Sequence, residues 1–166
     1  MSASPVLFAP LSWTTRAMGD VAPALVVRRM RELVVAGIAV DQESGGPVLL
    51  LRDPKEEEHF VPLRIGEAEA VAILIGLENT VPPRPLTHDL LSSVLAALEA
   101  TLEEVVLNRL EEGICYASLR IRKGNGELVE VDARPSDSVA LALRTGSPIY
   151  IEEAVYEELV QELPEF

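Results

Sequence analysis

The sequence predicts an α+β fold, a mixed β-sheet with flanking helices in the order βββ-α-α-βββ-α-β-α. Three observations carry this reading. Candidate strands come in runs rather than alternating one for one with helices, which separates α+β from doubly wound α/β architectures. Hydrophobic residues make up 48% of the 166 residues but aromatics only 4%, so the core has to be built from Val, Leu, Ile and Ala. Two helices open with the same signature, RPLTHDLL at 84–91 and RPSDSVAL at 134–141.

The elements follow in order. Residues 1–29 hold three of the twelve prolines and the only tryptophan, Trp13. They lack clear periodicity and read as an N-terminal extension, mobile or loosely docked, with a short helix near 23–30 as the alternative. Met18 and Met30 are both alternative starts. From residue 30 the pattern sharpens into one domain reaching to about 160, with 161–166 as a tail. ELVVAGIAVD is rich in β-branched residues and reads as a buried strand. SGGP marks a turn, PVLLLRD a second strand, DPKEEE a charged turn and HFVPLRI a third strand, together an antiparallel meander.

GEAEAVAILIGLEN follows as an amphipathic helix. Ala70, Ile73, Leu74 and Leu77 share one face, and Glu67 and Glu69 lie in the first turn, where the helix dipole favours acids. TVPPRP breaks it. Thr87 is placed to cap the next helix, HDLLSSVLAALEAT. LEEVVLNRLEEG, ICYASLRIRKG and ELVEVDAR read as three further strands with Gly-containing turns between them. RPSDSVALALRTG is a helix with Pro135 in its first turn, Ser136 or Asp137 as cap and Gly146 at its C-terminus. SPIYIEE is a short strand and AVYEELVQEL a final acidic helix.

Charge and motifs exclude several classes. A net charge of −13 argues against a protein that coats nucleic acid through a broad basic surface. It leaves room for an enzyme that grips a strand with a few arginines, helped by a metal cation or a locally positive cleft. There is no P-loop, GxGxxG, CxxC pair, HExxH or GxSxG, and no organic cofactor is expected. No apolar run nears the ~20 residues needed to span a bilayer, and the N-terminus lacks the pattern of a secretory signal. The single Cys115 reads as a buried strand residue in a chain of the reducing cytoplasm.

The candidate chemistry lies at the two Arg-Pro entrances. Pro85 pushes Arg84 into an extended conformation. His88 and Asp89 then fall beside the unsatisfied N–H groups of a helix N-terminus, a setting that attracts anions. Arg84 is a fork for phosphate or carboxylate, His88 a general acid, base or ligand, and Asp89 an orienting group or ligand for a hard cation. Arg134, Ser136 and Asp137 repeat the arrangement. The simpler reading is capping plus Arg–Asp pairing at both helices. If the entrances meet in space, two Arg, two Asp and one His form a compact polar cluster. Glu67 and Glu69, two positions apart on a helix, point in different directions and read as dipole partners before metal ligands. His59 and the run at 56–58 read as solvated.

PVLLLRD, HFVPLRIGEAEAVAI, PPRPLTHDLL and DARPSDSVALALRTGSPIYIEEAV, in this order and spacing, resemble the bifunctional nuclease family. The resemblance covers about residues 31–156 and looks most like bacterial members. It implies an α+β domain that forms homodimers and hydrolyses DNA and RNA. Carried onto the matching motifs, it marks Arg84, His88, Asp89, Arg134, Ser136 and Asp137, with Glu67 and Glu69 in the GEAEA stretch. The roles assigned to them are phosphate binding by Arg84, Arg134 and Ser136, coordination of Mg²⁺ or Mn²⁺ or positioning of water by Asp89 and Asp137, and proton transfer by His88. A non-enzymatic dimeric module that recognises an anionic ligand or a protein partner is the competing reading.

Overall fold

The computed structural model describes residues 29–162. The expected extension thus lies outside the described residues except for Arg29, as do residues 163–166 of the expected tail. β1 (Met30–Val40), β2 (Pro47–Arg52) and β3 (His59–Arg64) form the antiparallel meander read from the sequence. β4 (Thr101–Glu111), β5 (Ile114–Arg122) and β6 (Leu128–Ala133) form a second. β7 (Ile149–Glu152) joins them, pairing parallel with β4 and antiparallel with β1. Among the described residues the result is one mixed sheet in the order β6-β5-β4-β7-β1-β2-β3-β8. β8 is Gln161–Glu162.

Three helices meet beside this sheet: α1 (Glu67–Leu77), α2 (Thr87–Ala97) and α3 (Pro135–Thr145). α3 is the hub. Val139, Ala140, Leu141 and Ala142 are consecutive, so they point all round the helix, and each is at most 2% exposed. A helix apolar on all sides has to be covered on all sides, and α3 packs on β4, β5, α1 and α2. Small residues let the neighbours come close. A Cβ added at Gly76 of α1 would stand 3.0 Å from Leu143 Cβ and 3.2 Å from Arg144 Nη1. Leu49, Leu51, Val61, Ile73, Leu107 and Ile151 complete the core from the sheet and α1. α4 (Glu153–Leu159) packs against β1, β3, β4 and β7.

α2 is built differently. None of its residues is buried. Its stretch LLSSVLAAL from Leu90 to Leu98 carries no charge, and Leu90, Val94 and Leu98 are 58%, 43% and 69% exposed.

Several local expectations are corrected. Leu74 is 40% exposed rather than buried with Ile73. Thr87 is the first helical residue, not the cap. Leu86 holds the cap position, and its N–H donates to Asp89 Oδ2 at 2.8 Å, so the acid reaches back to the orphan donor. Arg134, not Ser136 or Asp137, is the N-cap of α3, with no side-chain cap bond, and Pro135 opens the helix. Ser136 is 7% exposed. The last helix stops at Leu159 because Val160 turns extended, and Gln161 and Glu162 pair with Phe60 and His59 on the open edge of β3. Glu56 is not simply solvated. It accepts from Arg31 at 2.9 Å and from the Tyr156 hydroxyl at 2.9 Å. Gly146 ends α3 in the left-handed region, φ 70°, as its residue type demands.

Candidate functional site

The two Arg-Pro entrances meet in space. His88 Nε2 lies 3.0 Å from Asp137 Oδ1, joining the first turns of α2 and α3. The other oxygen of Asp137 accepts from Arg134 Nε at 2.7 Å. Arg134 Nη1 in turn lies 2.9 Å from Glu69 Oε1 on α1. A polar relay therefore runs Glu69–Arg134–Asp137–His88 across three helices. From Arg134 it runs from solvent inward: the Arg134 side chain is 65% exposed, Asp137 33% and His88 12%.

This arrangement fixes the roles open to each group. Burial pushes the Asp137 carboxyl up, but the hydrogen bonds from Arg134 and His88 outweigh it and hold the group below the usual carboxylate range. Asp137 is thus an anion at neutral pH. Its natural partner is an Nε2–H donor, which leaves Nδ1 of a neutral His88 with the free lone pair. A carboxylate that orients an imidazole and stabilises its protonated form is the recurring support of a general base.

Asp89 serves another purpose. Its Oδ1 accepts from Arg144 Nε at 2.5 Å while its Oδ2 holds the Leu86 N–H. These two bonds, Arg144 first, keep its carboxyl below the usual range. Arg144 also donates from Nη1 to the carbonyls of Ala72 at 3.1 Å and Ala140 at 2.7 Å. One guanidinium, 8% exposed, thereby ties α1, α2 and α3 together beside the dyad, with its Nη2 buried and unpartnered among the described residues. Sequence reasoning missed Arg144. The available signal was spacing: Arg144 follows Asp137 by seven residues, two helical turns, so both lie on the face of α3 that meets His88 and Asp89.

The remaining predicted residues divide. Arg84 is exposed and has no ion pair or hydrogen bond among the described residues. Glu67 is exposed, whereas Glu69 folds back over the N-cap of α1, where a Cβ on Gly66 would collide with its Oε2. Ser136 lines an open cleft of about 730 Å³ that borders Arg134, with Gly66, Glu69 and Pro135 on the helix side and Arg64, Ile114 and Cys115 on the sheet side. Burial raises the Cys115 thiol to about 11, so it stays protonated and is a poor nucleophile. Among the described residues no three His, Cys, Asp or Glu side chains are grouped to hold a metal ion. Asp89 and Asp137 give both their oxygens to donors of the chain itself, so these residues do not form a ready cage for the expected cation.

Fold and site together define a small acidic α+β domain that carries an oriented His–Asp dyad at the meeting point of two helix N-termini. Residues 49–163 match the bifunctional nuclease domain, and the chain belongs to that family. It is 48% identical over 126 residues to proteins of two Mycobacterium tuberculosis strains, CDC 1551 and H37Rv, each named only as uncharacterized, covering 76% of this chain and 74% of theirs. It is 22% identical over 121 residues to a rice protein named Bifunctional nuclease 2, covering 72% of this chain and 37% of that one.

The clamp has a stability signature. Asp89 and Asp137 titrate below the ordinary aspartate value of about 3.9. Their stabilisation is fully present above that value and is lost as pH falls through the lower folded values. Acid below about pH 4 is therefore expected to loosen α2 from α3. Arg144→Met should cost about 2 kcal/mol in denaturant unfolding at pH 7, less than the roughly 3–5 of a fully buried pair because Asp89 keeps some water. That penalty should shrink once the pH is low enough to protonate Asp89. A penalty independent of pH would mean Arg144 acts through packing alone.

Proposed function

We propose that the chain is a nuclease, a hydrolase of phosphodiester bonds in DNA and RNA with little sequence specificity. The observation that carries this reading is the His88–Asp137 contact between the two motifs that mark the family. Cutting both polymers requires a nucleophile that both allow, and water is the one that does not depend on a 2′-hydroxyl. In this reading His88 Nδ1 takes a proton as water attacks phosphorus, the P–O bond to the leaving oxygen breaks, and that oxygen takes its proton from solvent water. Asp137 stabilises the imidazolium. Arg84, free of carboxylate partners among the described residues, contacts phosphate, and Arg134 does so by exchanging Glu69 for a phosphate oxygen. Asp89 acts through position, by holding the first turn of α2. Mg²⁺ or Mn²⁺ belongs to the proposal as a partner that arrives with the phosphates.

A second reading, a non-enzymatic module for an anionic ligand or protein, draws support from the same ion pairs. Arg134 is already committed to two carboxylates, and the chain carries −13 overall. Either reading includes a homodimer. The stripe Leu90, Val94 and Leu98 is apolar and uncharged on a strongly acidic chain, so it is where two copies meet with least repulsion, the same patch on each side of a two-fold axis.

Purified protein should cleave linear DNA and single-stranded RNA, tested with Mg²⁺, Mn²⁺ and EDTA. Folded His88→Ala and Asp137→Asn variants should lose about 10²–10⁴ in rate. Equal cleavage by the variants and the parent would sink the nuclease reading. Light scattering should give twice the chain mass for the parent and the single mass for Leu90→Glu/Val94→Glu. A parent that stays monomeric at tens of micromolar would remove the dimer.

A further inference from the structure

We propose that the cleft beside Arg134 is a groove for a single unpaired nucleic-acid strand, with its bases against an apolar wall and its phosphates on Arg64 and Arg134. The proposal rests on the nuclease reading and narrows its substrate from nucleic acid at large to unpaired strands.

Charge makes the first argument. Proteins that hold duplexes neutralise many phosphates with free Lys and Arg. In this chain the cations of the second meander are spent on neighbours, Arg120 on Glu104, Arg122 on Glu103 and Lys123 on Glu127. Few phosphates can be met at once, and a single strand presents fewer of them per length than a duplex.

The cleft makes the second argument. About 730 Å³ falls in the range of sites that enclose small organic groups, enough for a nucleotide or two. Its wall includes Leu110, Ile114, Pro62 and Leu159, and Ile114 is 57% exposed beside the β4–β5 turn. Apolar surface of this kind suits bases that have left the stack and has nothing to offer bases inside a duplex. Among the described residues no aromatic side chain lines the cleft, so they supply no strong stacking platform and no preference for one base.

The arginines make the third argument. Arg64 is 75% exposed and held by one carboxylate, Asp41; Arg134 is 65% exposed and shared between Glu69 and Asp137. Both line the cleft, and both can exchange a carboxylate for a phosphate while the other contacts of the wall persist. Arg134 sits two hydrogen bonds from His88, through Asp137, so a phosphate on Arg134 sits three away. The groove therefore borders the outer, Arg134 end of the relay, with Pro135 and Ser136 of the first turn of α3 in its wall.

The test is fluorescence anisotropy in EDTA at low salt. Labelled single-stranded DNA, single-stranded RNA and the duplexes of the same sequence are titrated with the parent and with Ile114→Asp and Arg64→Ala, each checked for folding by thermal melting. Single strands of either sugar should bind about tenfold more tightly than duplexes. Each variant should weaken single-strand binding at least fivefold, and log K against log salt should fall no more steeply than about −1.4, the value for two phosphate contacts on a single strand. Duplex binding equal to single-strand binding, or unchanged affinity in both variants, would overturn the groove. Cleavage is scored in parallel with Mg²⁺ or Mn²⁺. Paired DNA cut as fast as unpaired strands would overturn the groove and leave the nuclease reading standing. Variant-sensitive binding of single strands with no cleavage would support the groove and remove the nuclease reading.

Discussion

Everything at the site depends on how α2 is held. An isolated helix of eleven residues is marginal in water, and this one buries none of its residues within the described chain. Its position rests on Leu95, half-buried against the core, and on two polar contacts at its first turn, His88 to Asp137 and Asp89 to Arg144, both reaching α3. α3 can serve as anchor because it is enclosed on every side by the sheet and by its neighbouring helices. The rigid part of the molecule thus supplies Asp137 and Arg144, and the lightly packed part supplies His88. In the proposed mechanism this puts the orienting group on a rigid element and the proton carrier on a looser one, which allows reaction geometry to form and relax.

The same contacts explain how so acidic a chain keeps its few cations useful. Arg31 gathers Glu153, Glu56 and Asp53 and lies 4.3 Å over the Tyr156 ring, pinning β1 to the β2–β3 turn and α4. Arg144 does the equivalent job among α1, α2 and α3. These are internal partners, not surface charge. Arg64 and Arg134 line the cleft with exposed guanidinium groups, and Arg84 is exposed just ahead of α2. Under the proposed function, a net charge of −13 requires local grip on phosphate instead of broad attraction.

Much of this was legible in the sequence. Strand runs separated by Gly-containing turns gave both meanders, and Pro135 and Gly146 marked the ends of α3. The Arg-Pro…Asp pattern identified the two helix N-termini that meet. Its finer meaning was not legible, because an acid in the first turn of a helix can serve its own backbone or a distant cation. Asp89 does both, while Asp137 serves only side chains, and nothing in the two local patterns separates them. Arg144 looked like an ordinary basic residue at a helix C-terminus, since its partners come from two other helices. Gln161 and Glu162 continued a helical pattern, yet the unpaired edge of β3 offered their backbone a better alternative.

The hydrogen bond between His88 and Asp137 joins the two helix entrances, and nitrogen NMR of the imidazole reads it directly. With His59 replaced by Gln, one ring remains. Well above the ordinary imidazole range of about 6.5, the neutral ring of His88 should carry its proton on Nε2, and Asp137→Asn should abolish that preference. A ring that exchanges freely between tautomers, alike in the parent and in Asp137→Asn, would contradict the dyad and with it the joining of the two helix entrances.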